Sequence, residues 1–143
     1  MPTRPAPQAP SPGRQAGDER LVQRLRTICL ALPEAVEKRS HGEPTWFAGA
    51  GKVFAALDEH HHHSAHLSVW LPLPLGAQEE LVAGDPERFF RPPYLGGRGW
   101  VGLVLDTRPD WAVVARLVRE AYLHVASKKL AAKVVGAGRR GPS

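Results

Sequence analysis

Residues 100–125 read WVGLVLDTRPDWAVVARLVREAYLHV and contain the two clearest predicted elements of the chain. Residues 100–105 are apolar almost without interruption, which is typical of a strand covered on both faces. Gly102 in the middle of this run predicts a bulge or a close approach of another backbone. The Thr-x-x-Asp pattern of 107–110 predicts a helix start. Beyond it, apolar residues recur at steps of three and four through residue 125, which predicts an amphipathic helix.

The segments upstream of this unit predict further strands and two more helices. Apolar spacing predicts a helix that begins with Asp18 as its N-cap and ends near Leu32, before Pro33. Residues 34–44 are charged and rich in turn-forming types. The remaining predicted elements are strands at 45–48, 52–58 and 66–71, a short helix at 75–83 and an extended stretch at Phe89 and Phe90. Short loops favour antiparallel neighbours. We therefore predict an α+β fold with two layers, in which an antiparallel sheet of about five strands carries the N-terminal and C-terminal helices on one side.

The 143 residues suffice for one domain, and the ends of the chain differ from its middle in composition. Prolines crowd the first twelve residues, so we predict a disordered leader at 1–17, a single domain at 18–130 and a disordered basic tail at 131–143. The formal net charge is +5. Residues 126–143 hold five basic and no acidic side chains, whereas 21–125 hold 11 basic and 12 acidic ones. The basic excess therefore belongs to the C-terminal end.

Composition and motifs also exclude several classes of protein. The single cysteine, Cys29, excludes an internal disulfide framework and lies on an apolar helix face, where a buried core thiol is expected. The chain has no run of 18 apolar residues and no apolar leader, so we expect a cytoplasmic bacterial protein without a membrane partner. Common nucleotide-binding and hydrolase motifs are missing from the sequence, which favours a protein that is not an enzyme and needs no cofactor. The weaker alternative is an enzyme whose active site is built from scattered residues.

The run of four histidines at 60–63 is the most conspicuous local feature of the sequence. Consecutive histidines on a loop cannot all face one ion, but the alternate pair His61 and His63 could bind a metal. The alternative interpretation is a solvated turn, and the sequence favours it.

Two binding hypotheses follow from the charged and aromatic residues. In the first, the protein is a DNA-binding or regulatory module, since basic side chains can contact phosphates. Its candidate residues are Lys52, Arg91, Arg98, Lys128, Lys129, Lys133, Arg139 and Arg140. In the second, a non-catalytic protein binds a small anionic ligand or a protein partner near Trp46, Lys52 and Trp70. The alternatives are that the basic tail only aids solubility and that the aromatic residues only build the core.

The order of short motifs resembles the MmcQ/YjbR family of small bacterial proteins. The matching motifs, in chain order, are ALPEA (31–35), HGEPTWF (41–47), GKVFA (51–55), PPYL (92–95), GWV (99–101) and AYL (121–123). Where the family tends to have Ser-Tyr, this chain has Ala121-Tyr122. The resemblance covers about residues 20–130 and implies a CyaY-like α+β fold. It also implies a double-wing mode of DNA binding, in which the hairpin loops at 49–51 and 59–65 would act as the wings.

Overall fold

Six antiparallel strands form one sheet in the order β1-β2-β3-β4-β6-β5. The structure is a computed structural model that describes residues 16–59 and 66–140, with side chains for 18–59 and 66–134. The strands are β1 (Ala35–Ser40), β2 (Glu43–Ala48), β3 (Val53–Glu59), β4 (Leu67–Pro72), β5 (Phe89–Phe90) and β6 (Trp100–Val104). The helices are α1 (Ala16–Leu30), α2 (Ala77–Gly84), α3 (Trp111–Val125) and α4 (Lys128–Arg140), with one turn of 3-10 helix at Gly96–Arg98. The predicted α+β class with an antiparallel sheet is confirmed.

The sheet has six strands rather than about five because the charged segment at 34–44 contains β1. This strand pairs with β2 from Ala35↔Ala48 to Ser40↔Glu43. It lies at the edge of the sheet, where charged side chains are common because they discourage pairing with other molecules. Hydrophobic alternation is therefore weak in β1. For this reason the sequence of 34–44 predicts a turn and not a strand.

The main core lies between α1, α3 and one face of the sheet, which we call the helix face. Val69, Leu71 and Leu103 belong to this core together with side chains of both helices. Trp70 and Val104 are also buried but lie outside that core cluster. Since neighbouring residues of a strand point to opposite faces, they belong to the other face of the sheet. We call this second face the open face.

Tyr122 of α3 makes two specific contacts within this core. The Tyr122 hydroxyl donates a hydrogen bond of 2.6 Å to the Pro33 carbonyl oxygen. The Tyr122 ring also meets the Phe54 ring edge to face, with centroids 5.2 Å apart.

Cys29 is fully buried in the same core, and burial raises the pKa of its thiol well above its usual value. The cysteine is therefore a core thiol, as the sequence predicted.

The two long helices begin at different residues from those predicted. The first helix begins at Ala16, and Asp18 lies within its first turn, where the helix dipole favours an acid. The last long helix is capped by Asp110, whose Oδ1 accepts from the backbone N–H of Ala112 at 3.0 Å. The predicted helix start at Thr107 is wrong. Arg108 lies before a proline, and a residue in that position disfavours helical backbone. Its φ of 54° is outside the helical range.

The C-terminal basic segment forms α4, whereas the sequence predicted a disordered tail at 131–143. Leu130 and Val134 are buried and lie one helical turn apart, so the segment has an apolar face that packs against the domain. The Ser127 hydroxyl accepts a hydrogen bond from the Leu130 N–H at 3.2 Å and caps the helix start. The predicted leader at 1–17 falls almost entirely outside the described residues, as do residues 141–143.

Candidate functional site

A groove of about 560 Å³ lies on the open face of the sheet. We call it the aromatic groove because two tryptophans and a tyrosine line it. Its lining residues are Ser40, His41, Glu43, Thr45, Val53, Ala56, Leu57, Asp58, Trp70, Tyr94, Leu95 and Trp100. They come from the first four strands, the turn between β1 and β2, the start of β6 and the loop before β6. The groove is therefore a product of the sheet order and not of one sequence segment.

The strand register explains why a groove forms around Trp70. Its cross-strand neighbours are Ala56 on β3 and Gly102 on β6. The short side chain of Ala56 leaves space beside the indole. On the other side, the Phe90 ring covers Gly102 so closely that a Cβ there would overlap it. Gly102 therefore allows the Phe90 ring to lie close to the backbone of β6. The β4–β6 pairing continues through Gly102 without a bulge.

Three carboxyl groups gather at one end of the aromatic groove, and we call them the acidic cluster. Glu43 lies at the start of β2, and Asp58 and Glu59 lie at the end of β3. Their exposed fractions are 4%, 1% and 8%. Glu43 Oε2 accepts a hydrogen bond of 3.1 Å from the Glu59 backbone N–H. Antiparallel pairing of β2 with β3 therefore brings Glu43 to two acids that lie 15 and 16 positions later in the chain.

Burial raises the pKa of Glu43 to about 8. The next cause is a hydrogen bond with the Glu59 side chain, which favours the protonated form, and the negative charges of Glu59 and Asp58 add to the increase. A buried carboxyl beside two others keeps its proton near neutral pH for this reason. The acidic cluster can therefore hold a proton or stabilise a positive charge at the groove.

The loop between β5 and β6 supplies another part of the groove lining. Tyr94 lies in this loop with φ 66°, and its side chain is 82% exposed. Gln78 of α2 is buried and its Nε2 donates to the carbonyl oxygens of Gly96 at 2.8 Å and Trp100 at 2.7 Å. This double hydrogen bond fixes the loop to α2. Positive φ outside glycine is uncommon and tends to occur at binding sites.

The β1–β2 turn places His41 at the end of the groove near the acidic cluster. Only His41 and Gly42 separate the two strands, and both have positive φ, 55° and 82°. These are the conformations that a type I′ hairpin turn requires. The His41 Nδ1 lies 3.1 Å from the Ser40 hydroxyl oxygen. A tight turn thus supplies the imidazole that lines this part of the groove.

The three residues predicted to form an anion pocket do not come together. Trp70 lines the aromatic groove. Trp46 is fully buried in the core of the helix face, where its Nε1 donates to Glu37 Oε1 at 2.9 Å. Lys52 is exposed just before β3. The tryptophans lie on opposite faces of the sheet, and the lysine is not among the residues that line the groove.

The predicted phosphate-contacting residues lie in three places, the first of which is Lys52 just before β3. Arg91 and Arg98 are exposed in the loop before β6, whereas Lys128, Lys129 and Lys133 lie on α4. Lys133 Nζ donates to Glu34 Oε2 at 2.6 Å. The α4 helix also includes Arg139 and Arg140, whose side chains lie outside the described residues.

The predicted metal pair, His61 and His63, lies outside the described residues. Within residues 16–59 and 66–140, no group of three or more His, Cys, Asp and Glu side chains could hold a metal ion. No helix in these ranges is both long enough and apolar enough to cross a membrane.

The sequence alone does not mark Glu43, Asp58, Tyr94 or Trp100 as site residues. One signal was available for Asp58, because it follows the apolar run VFAAL at 53–57 and so places a carboxylate at the end of a buried strand. Glu43 gives no such signal, because the residue types around it are typical of a turn. The sequence pattern places Trp100 in the core and Tyr94 in a loop.

Comparisons with known proteins support a family assignment. The family model YjbR matches residues 30–124. A solved structure, that of Deinococcus radiodurans protein DR2400 with a DUF419 domain, resembles this chain with a TM-score of 0.59. It is 21% identical in sequence, and the match covers 72% of this chain and 76% of that one. At this identity the likeness shows a shared fold. A search of curated proteins gives no match. Since the family model spans most of the domain, the chain belongs to the YjbR family.

Proposed function

We propose that this protein is a non-catalytic binding protein for a small organic ligand, which it holds in the aromatic groove. The observation that carries the proposal is a groove of about 560 Å³ that combines aromatic side chains with a few buried polar ones. Small-molecule sites usually have volumes of roughly 300–1,000 Å³, apolar linings and a small number of polar groups that orient the ligand. The aromatic groove has each of these properties.

The lining of the groove differs from the surface that nucleic acid requires. Among the described residues that line it, Glu43 and Asp58 are acidic and none is lysine or arginine. Phosphate groups are bound by basic side chains, and buried carboxyl groups repel them. A small ligand therefore fits this groove better than a nucleic acid strand does.

Filling the groove tests the proposal. We expect Ala56→Leu to place an isobutyl group beside Trp70 and so to fill the groove. The affinity for small molecules should fall by at least about tenfold. The measurement is a fragment screen followed through the indole N–H signals of the four tryptophans by NMR. In the unaltered protein, aromatic fragments should shift the signals of Trp70 and Trp100 and leave those of Trp46 and Trp111 in place.

The matched control is Ala112→Leu, which adds the same group at an exposed position of α3. This variant should bind fragments as the unaltered protein does. The proposal fails if no fragment shifts the Trp70 and Trp100 signals, or if the two leucine variants bind equally well.

We also propose that α4 binds DNA. This second proposal retains the DNA-binding or regulatory role that the sequence predicted. It is supported by the composition of α4, which has basic residues and no acid, with Lys128 and Lys129 exposed. The double-wing mode is less well supported. The loop at 49–51 precedes β3 and Glu59 ends it, so the two predicted wings begin at opposite ends of a seven-residue strand.

DNA binding is tested by fluorescence anisotropy with duplex DNA at two salt concentrations. If α4 makes the contacts, the double variant Lys128→Glu/Lys129→Glu should bind more weakly, with a salt slope lower by about two because each lost phosphate contact contributes about 0.9. The comparison variant, Arg91→Glu/Arg98→Glu, changes the same number of charges in the loop before β6 and should bind normally. Equal losses in both variants, or no binding near physiological salt, would reject the α4 proposal.

A further inference from the structure

The charge of the groove lining indicates which ligands it favours. Glu43 and Asp58 line the groove and are almost completely buried. Of the other described lining residues, only His41 can carry a positive charge. Since opposite charges attract more strongly where water is largely excluded, a positive group in the groove would be stabilised beside these carboxyl groups.

The aromatic residues of the groove also favour a positively charged ligand. Trp70, Trp100 and Tyr94 all line it. The faces of aromatic rings carry negative potential and attract cations, and tryptophan does so most strongly. The same rings bury the apolar body of a ligand by stacking. Aromatic rings and carboxyl groups in one groove therefore point independently to a positively charged ligand.

We infer that the ligand of the aromatic groove is a small organic cation, namely a protonated amine attached to an aromatic or apolar body. The body would pack against Trp70 and Trp100, and the ammonium group would lie toward Glu43 and Asp58. This inference rests on the proposed function, because it names the class of molecule that the same groove would bind. It replaces the anionic ligand predicted from Lys52.

The acidic cluster supplies a physical reason for this choice. Glu43, Asp58 and Glu59 are buried close to one another, and their mutual repulsion contributes to the raised pKa of Glu43. An ammonium group has three N–H donors and one positive charge, so it can satisfy carboxylate oxygens and relieve the repulsion together. A carboxylate or phosphate ligand would add to the repulsion instead.

Three probes that share a phenylethyl body test the inference on the full-length protein. They are 2-phenylethylamine, 2-phenylethanol and 3-phenylpropanoate, which are positive, neutral and negative at neutral pH. Their dissociation constants are measured from the indole N–H signals of Trp70 and Trp100. We expect the amine to bind at least about tenfold more tightly than the carboxylate, with the alcohol between them.

Variants of the acidic cluster show whether the carboxyl groups cause this preference. Asp58→Asn keeps the side-chain shape and should weaken amine binding about threefold to tenfold at neutral pH while leaving alcohol binding unchanged. Glu43→Gln should have the same effect only above about pH 8, where Glu43 loses its proton and the amine is still positive. Glu120→Gln removes an exposed acid on α3 and serves as the control that should bind all three probes normally.

The outcomes separate this inference from the proposed function. If the three probes bind equally, or if the carboxylate binds best, the groove is a binding site but the cation inference is wrong. Equal amine affinity in both cluster variants and the unaltered protein would also overturn it. If none of the probes shifts the Trp70 and Trp100 signals while the fragment screen finds other ligands there, only the cation inference fails. If neither experiment finds a ligand, the proposed function fails as well.

Discussion

Replacing Glu37 with alanine is expected to lower the free energy of unfolding by about 2–3 kcal/mol. Glu37 of β1 accepts hydrogen bonds from two partners on different elements. Arg26 of α1 donates through Nε at 2.7 Å and through a terminal nitrogen at 2.9 Å. Trp46 of β2 donates its indole N–H to Oε1 at 2.9 Å, and the indole is fully buried. The carboxylate thus joins the first helix to the edge of the sheet.

Most of this loss should come from Trp46. A buried donor that loses its acceptor costs about 1–3 kcal/mol, because the N–H gives up water on folding and gains nothing in return. The Arg26–Glu37 pair contributes less, since both side chains are 25% exposed and water weakens their attraction. Denaturation in urea, followed by tryptophan fluorescence, measures the change.

Two further variants identify the cause of the Glu37 effect. Glu37→Gln keeps an oxygen that can accept from the indole and should cost only about 1 kcal/mol. In a Trp46→Phe background the indole N–H is absent, so Glu37→Ala should cost clearly less than it does in the unaltered protein. An equal cost in both backgrounds would show that the indole hydrogen bond contributes little to stability.

Periodicity predicted the parts of the fold that depend on local order. The steps of three and four in 111–125 match α3, and Val114, Leu117, Val118, Ala121 and Tyr122 are all buried. The apolar run at 100–105 likewise matches β6. These elements were predictable because a helix or strand that buries one face repeats its apolar residues at a fixed interval.

The strand β1 and the helix α4 were not predicted from the sequence, because both depend on contacts with distant parts of the chain. In β1, Glu37 and Lys38 are neighbours, and no alternation of apolar and polar residues marks the strand. It forms because β2 offers a partner along its full length. In α4, Leu130 and Val134 give too short an apolar pattern to predict a helix among basic residues. Both elements are held by tertiary packing that local patterns do not encode.

The candidate site was the least predictable part because it depends on strand register. Trp70 was proposed as a ligand residue, and it lines the groove. The space beside it comes from Ala56, which lies opposite it on β3. A shift of one residue in this pairing would turn the small side chain to the helix face and remove that space. Register of this kind follows from the whole sheet and could not be deduced from the spacing of residues along the chain.

Replacing Glu43 with glutamine is expected to stabilise the protein increasingly as the pH rises. The pKa of Glu43 is about 8 in the folded protein, against an ordinary value of 4.5. The folded state therefore binds more protons than the unfolded state between these two values. Stability from this group is fully present below about pH 4.5 and is lost as the pH rises through about 8. The loss has a slope of up to about 1.4 kcal/mol per pH unit.

Glutamine reproduces the protonated form of this side chain at every pH. Its oxygen can accept from the Glu59 backbone N–H, as Glu43 Oε2 does at 3.1 Å. Its amide N–H can donate to the Glu59 carboxylate in place of the carboxyl O–H. The variant should therefore equal the unaltered protein in stability near pH 4.5 and exceed it progressively toward pH 8. The titrating groups outside the acidic cluster are common to both proteins, so the difference between their unfolding free energies reports the titration of the cluster around Glu43.

Urea denaturation of both proteins across this pH range measures the difference. Glu120→Gln provides the control, because it removes an exposed carboxyl far from the acidic cluster along the chain and should give a constant difference. If the Glu43→Gln difference were also constant, Glu43 would ionise normally in the folded protein, and repulsion within the acidic cluster could not be part of ligand binding. A difference that grows with pH would mean that the cluster holds a proton near neutral pH. The domain would then be less stable at higher pH because its groove keeps three carboxyl groups together, and a bound cation would restore part of that stability.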